Sequence, residues 1–135
     1  MKTITEIKKE REQKHTMLFN SVGLFWAFSE EQFATNKTFL KEGDKYISIG
    51  NGGYLPKSNI DTFTNGIEII TNWYNKEIKA NKKLIESTIL YELNNYECFY
   101  TGNIDAAFDV LKDNFNKKQI WTVWNKFKEQ YQETL

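Results

Sequence analysis

A chain of 135 residues is of ordinary single-domain size, and folding at that length buries roughly two thirds of the surface the unfolded chain exposes. Its 40% hydrophobic and 16% aromatic content supplies an aromatic-rich core that needs no metal or disulfide, which excludes a disordered chain. Eighteen basic residues balance eighteen acidic ones, so no net charge steers the chain towards a polyanion; the lone Cys98 forms no internal disulfide, and no apolar run approaches the ~20 residues of a membrane span.

The N-terminus, MKTITEIKKEREQK, lacks the apolar stretch of a signal peptide, so a cytoplasmic protein is expected. Residues 5–20 read as a helix, charged over the first half (Glu6, Lys8, Lys9, Glu10, Arg11, Glu12), with Ile4, Ile7, Met17, Leu18 and Phe19 as sparse apolar positions. GLFWAF, residues 23–28, is a short aromatic run headed by glycine and suits a buried strand. Ser29 followed three residues later by Gln32 has capping-box spacing, which predicts a short helix from Glu30 to about Lys37. A turn at Glu42 to Asp44 leads into a strand in which Tyr46, Ser48 and Gly50 alternate with Ile47 and Ile49. The two strands can pair, but two alone are marginal and must pack on helices.

From Ser58 onward Ile60, Phe63, Ile67, Ile70, Tyr74 and Ile78 recur at helical spacing, renewed by Leu84, Ile85, Ile89, Leu93 and Tyr96. KANKK at 79–83 leaves open whether this is one helix or two. Asn103 or Asp105 caps a helix running to Leu111, and KKQIWTVWNKFKEQY forms the last one, with Ile120, Trp124, Phe127 and Tyr131 on one face. The reading is one mostly helical α+β domain over 1–135, with a short antiparallel hairpin or small sheet packed on helices. Its parts are an N-terminal helix (1–21), the hairpin and glycine loop (22–57) and a helical part (58–135).

Three of the seven glycines fall in residues 50–53, directly before Lys57 and Ser58. Backbone N–H groups of such a turn, with a helix N-terminus behind them, can hold an anion, which nominates Gly50, Asn51, Gly52, Gly53, Lys57 and Ser58 as a phosphate or nucleotide site. The Walker pattern nevertheless fails, because Pro56 stands where glycine is required, and no βαβ unit surrounds the loop. The cluster therefore reads as a turn first, with Gly50 and Gly52 at positive φ forming a turn and bulge, and as an anion site second.

His15 has no sequence neighbour to form a dyad and reads as a surface residue; Cys98, among aromatics, reads as a buried, unreactive thiol. No catalytic or metal set emerges, and no cofactor is expected. Between Leu84 and Leu111 lie Glu86, Glu92, Glu97, Asp105 and Asp109 with no basic residue, which with Tyr100 nominates an acidic partner surface; Glu92 and Glu97 are the carboxylates available for acid-base work or a metal. The last two helices have helix-turn-helix length, with Lys117, Lys118, Gln119, Thr122, Asn125 and Lys126 as the groove-facing set. A plain helical hairpin completed by Trp121 and Trp124 is favoured over DNA binding, since the turn lacks glycine and Glu129 and Glu133 share the helix.

The segments GLFWAFSEEQF, KYISIGNGGYLPKSNID and ILYELNNYECFYTGN, within residues 22–127, resemble a family of small proteins encoded by phages and prophages, chiefly of Bacteroidota, grouped as a domain of unknown function. The resemblance brings no catalytic residues. The family often has histidine where this chain has Tyr96, so it implies no essential histidine there. A phage origin implies a non-enzymatic protein that binds a host protein, such as a defence inhibitor of the anti-CRISPR type. The aromatic surplus suits interface hot spots.

Overall fold

The computed structural model describes residues 2–133, with side chains as far as residue 130. The expected roles of Tyr131 and Glu133 therefore lie outside the described side chains. The elements are α1 (Ile4–Val22), β1 (Phe25–Trp26), α2 (Glu30–Asn36), β2 (Tyr46–Gly50), β3 (Gly53–Pro56), a 3-10 turn (Lys57–Asn59), α3 (Ile60–Glu77), α4 (Lys82–Asn95), α5 (Cys98–Thr101), α6 (Asp105–Leu111) and α7 (Lys117–Glu133). The protein is mostly helical with one small antiparallel sheet, the α+β class that the sequence predicts. It divides into two compact units: residues 8–73, and the chain start through Ile7 together with the chain from Tyr74 onward.

In the first unit the sheet has the order β1-β3-β2, with Phe25 opposite Tyr54 and Ile47 opposite Leu55. Strand side chains alternate between faces, so Leu55, Ile47 and Ile49 point one way, where they join Val22, Leu24, Leu18, Phe19, Ile60 and Phe63 in a hydrophobic core. Tyr46, Tyr54 and Phe25 point the other way and meet Phe33 of α2. The rings of Phe33 and Tyr54 are 5.1 Å apart at 87°, and those of Phe25 and Tyr46 5.2 Å apart at 83°, the edge-to-face geometry favoured by the ring quadrupoles. α1 and α3 thus cover one face of the sheet, and α2 the other.

Two strand expectations need correction. The paired strands are not 23–28 and 46–50; β3 lies between them. Gly53–Pro56 conceals a strand because it begins with glycine and ends in proline, both poor strand formers. Pro56 is tolerated because Lys57 N–H donates to Lys45 O at 2.7 Å, so alternation turns the proline nitrogen away from β2 and towards β1, which has already ended. GLFWAF, in turn, is strand only at Phe25 and Trp26, and its last residue, Phe28, is 75% exposed rather than buried.

In the second unit, Asn81 resolves the 79–83 ambiguity into two helices: its side chain accepts the Leu84 N–H at 2.9 Å and caps α4. α4 buries Leu84, Ile89 and Leu93, α7 buries Ile120, Val123 and Trp124, and the Phe99 ring stacks on Trp124 at 5.0 Å. Trp124 thus joins the core as expected, whereas Trp121 stays 39% exposed. Asn103 Oδ1 accepts the Asp105 N–H at 2.9 Å just ahead of α6, but the N-cap position is Ile104, without a side-chain cap, and neither Asn103 nor Asp105 holds it. Asn116 and Gln119 form a reciprocal capping box at 2.8 and 2.9 Å and start α7.

Candidate functional site

The glycine cluster is a hairpin turn. Gly50 pairs with Gly53, and the two residues between them, Asn51 and Gly52, have φ of +52° and +81°, the doubly positive pattern of the tight turn whose twist matches the strands. A bulge between Ser48 and Gly50 precedes it, with Gly50 itself at φ +91° and its N–H donating to Ser48 Oγ at 3.2 Å. Lys57 and Ser58 lie at the opposite end of β3, which at ~3.3 Å per residue separates them from the turn by about 13 Å. The six residues expected to form one anion site therefore fall in two places.

The start of the 3-10 turn already has an anion. Asp44 accepts the Ser58 hydroxyl at 2.5 Å, the Ser58 N–H at 3.3 Å and the Lys45 N–H at 2.8 Å. The Ser58 hydroxyl, and then the Lys45 amide, hold its carboxyl below the usual value.

The feature that the sequence does not announce is the presentation of Phe28. Ser29 Oγ accepts the Gln32 N–H at 3.1 Å, as the capping box predicts, but Gln32 Oε1 reaches one residue further back and accepts the Phe28 N–H at 2.8 Å. Asn36 donates to Trp26 O at 2.9 Å, and Ala27 N–H donates to Gly52 O at 2.8 Å. The backbone from Trp26 to Ser29 is thereby fastened to both α2 and the hairpin turn. The Phe28 ring lies directly over Gly52, where a Cβ would overlap its ring carbons, so glycine is required both for φ and for this close approach. Beside the ring is an open cleft of about 540 Å³, lined among others by Phe28, Ser29, Glu30, Phe33 and Tyr54. Trp26, 46% exposed, closes over Gly53 with Ile49.

The acidic stretch of the second unit does not form one face. Glu86 pairs with Lys126 at 2.9 and 3.0 Å, Asp109 pairs with Lys112 at 3.5 Å, and Glu92 is only 8% exposed. Glu97, at φ +55°, precedes α5; with Asn94, Phe99 and the exposed Tyr100 it lines a shallow notch of about 330 Å³, while Asp105 is exposed in the first turn of α6. Of the groove-facing set, Lys117, Lys118 and Asn125 are exposed, but Gln119 serves the cap, Thr122 donates to Lys118 O at 2.7 Å, and Lys126 is held by Glu86.

His15 stacks on Phe19 at 5.6 Å and 4°, and its pKa is lowered by partial burial and by Arg11. Cys98 is fully buried, which pushes its thiol pKa up. Among the described residues no group of three or more His, Cys, Asp or Glu is placed to hold a metal ion, and no helix is long and apolar enough to cross a membrane.

No curated protein and no solved structure matches the chain. A family model described as a family of unknown function, DUF7659, matches residues 7–133, nearly the whole length, and the chain belongs to that family.

Proposed function

We propose that the protein acts without catalysis, by binding another protein through the face on which Phe28 covers the β2–β3 turn. The observation that carries this reading is a large aromatic ring, 75% exposed, on a backbone held by hydrogen bonds to two different elements. Leaving such a ring in water forgoes about 1.5–3 kcal/mol of burial free energy, which a partner pocket would recover. A backbone already held loses little further freedom on docking, which suits an interface hot spot. The cleft beside Phe28 extends the face. The resemblance to phage and prophage proteins supports a protein of the bacterial host as the partner and inhibition of a defence system as the consequence, within the host cytoplasm.

The test is affinity capture from a Bacteroidota host extract with the wild type, Phe28→Ala and Lys118→Ala. The reading expects one stoichiometric protein that survives Lys118→Ala and is lost with Phe28→Ala. Absence of a stoichiometric partner, or a partner retained by Phe28→Ala, contradicts it.

A further inference from the structure

We propose that the cleft between α2 and the hairpin turn receives an arginine side chain of the protein partner, an inference that rests on the docking reading above. The cleft has three aromatic walls, Phe28, Phe33 and Tyr54, and its lining includes one charged side chain, the carboxylate of Glu30. Glu31 follows in the same helical turn, and no lysine or arginine lines the space. Aromatic faces carry negative potential, and a cation over them gains further when a carboxylate closes one side.

Charge excludes the opposite occupant. The N-terminal end of α2 contributes at most about half a positive charge, and two carboxylates in its first turn outweigh it, so an anion meets net repulsion. A purely apolar side chain would strip water from Glu30 without replacing it. Between the two protein cations, guanidinium fits better than ammonium: it is planar, weakly hydrated, stacks on rings and offers paired N–H donors to a carboxylate. A cleft of about 540 Å³ is large for a single guanidinium and leaves room for the flanking peptide.

The test is titration of the full chain, followed through its amide NMR spectrum, with the probe peptide acetyl-Gly-Gly-Arg-Gly-Gly-amide and the same peptide carrying citrulline, the neutral isostere of arginine. The arginine peptide is expected to shift the amides of residues 27–30 and 52 with millimolar affinity, and citrulline to shift them far less. Glu30→Gln, whose spectrum itself reports folding, should weaken the arginine peptide by about fivefold, the upper end for an exposed charged pair. Equal shifts from arginine and citrulline, or an affinity unchanged by Glu30→Gln, overturn the proposal. If the arginine peptide does not bind while Phe28→Ala still loses the captured partner, the arginine assignment falls and the docking reading stands.

Discussion

Asp44 and Ser58, fourteen residues apart, are joined by two hydrogen bonds, from the Ser58 hydroxyl at 2.5 Å and from its amide at 3.3 Å, so the chain carries its own anion where the sequence invites a phosphate. Phosphate and nucleotides are accordingly expected to leave the melting temperature unchanged, whereas a ligand at 100 times its Kd would add about 2.7 kcal/mol. The folded state holds the Asp44 pKa below its ordinary 3.8, so this carboxylate's stabilisation is complete above that value and is lost as the pH falls through the lowered one. Asp44→Asn should lower the melting temperature at pH 7, and the difference from wild type should shrink on acidification below 3.8. A difference independent of pH would contradict this role.

Gly52 and Gly43 provide a matched pair. Both have φ above +80°, but a Cβ at Gly43 meets nothing within 4 Å, whereas at Gly52 it meets the Phe28 ring. Gly43→Ala should lose only the left-handed backbone term, about 1–2 kcal/mol, and Gly52→Ala more, because the ring must also move. Denaturant unfolding of the two variants checks the order, and equal losses would show that Phe28 does not rest on Gly52.

Thr88 is 2% exposed, and its Oγ1 is buried without a hydrogen-bond partner. The carbonyl a helical threonine would ordinarily reach, that of Leu84, receives Ser87 Oγ at 3.3 Å. Thr88→Val keeps the shape and removes the orphan, so it should stabilise by about 1–2 kcal/mol in urea unfolding. A loss of similar size would mean that the hydroxyl is paired.

Cys98 should stay a protonated thiol at neutral pH, because burial raises its pKa. A disulfide reagent is expected to modify the unfolded chain at once and the folded protein only at the rate of opening. Immediate reaction of the folded protein would contradict its burial.

What the sequence discloses and what it conceals divide along local chemistry. Ser29 with Gln32, and the apolar recurrence from Ile60 to Ile78, act within a few residues and are legible. β3 is hidden by Pro56, whose tolerance depends on where β1 stops, although Asn51-Gly52 between two short runs is the hairpin dipeptide that could have revealed it. The acidic stretch misleads because spacing does not tell which side of α4 faces inward: Glu92 is on the buried side with Leu84, Thr88, Ile89 and Leu93, while Glu86 reaches Lys126 forty residues away. Phe28 looks like the end of a buried strand, and its outward presentation follows from Gln32, Asn36 and Gly52 acting together.

The claim that Phe28 is the centre of a protein-docking face is tested most directly by a photo-crosslinking residue placed at position 28, and for comparison at position 118, in protein expressed in the bacterial host. Irradiation should yield one discrete adduct from position 28, identified by mass spectrometry as a single host protein, and none from position 118. No adduct from position 28, or the same adduct from both positions, would contradict the account.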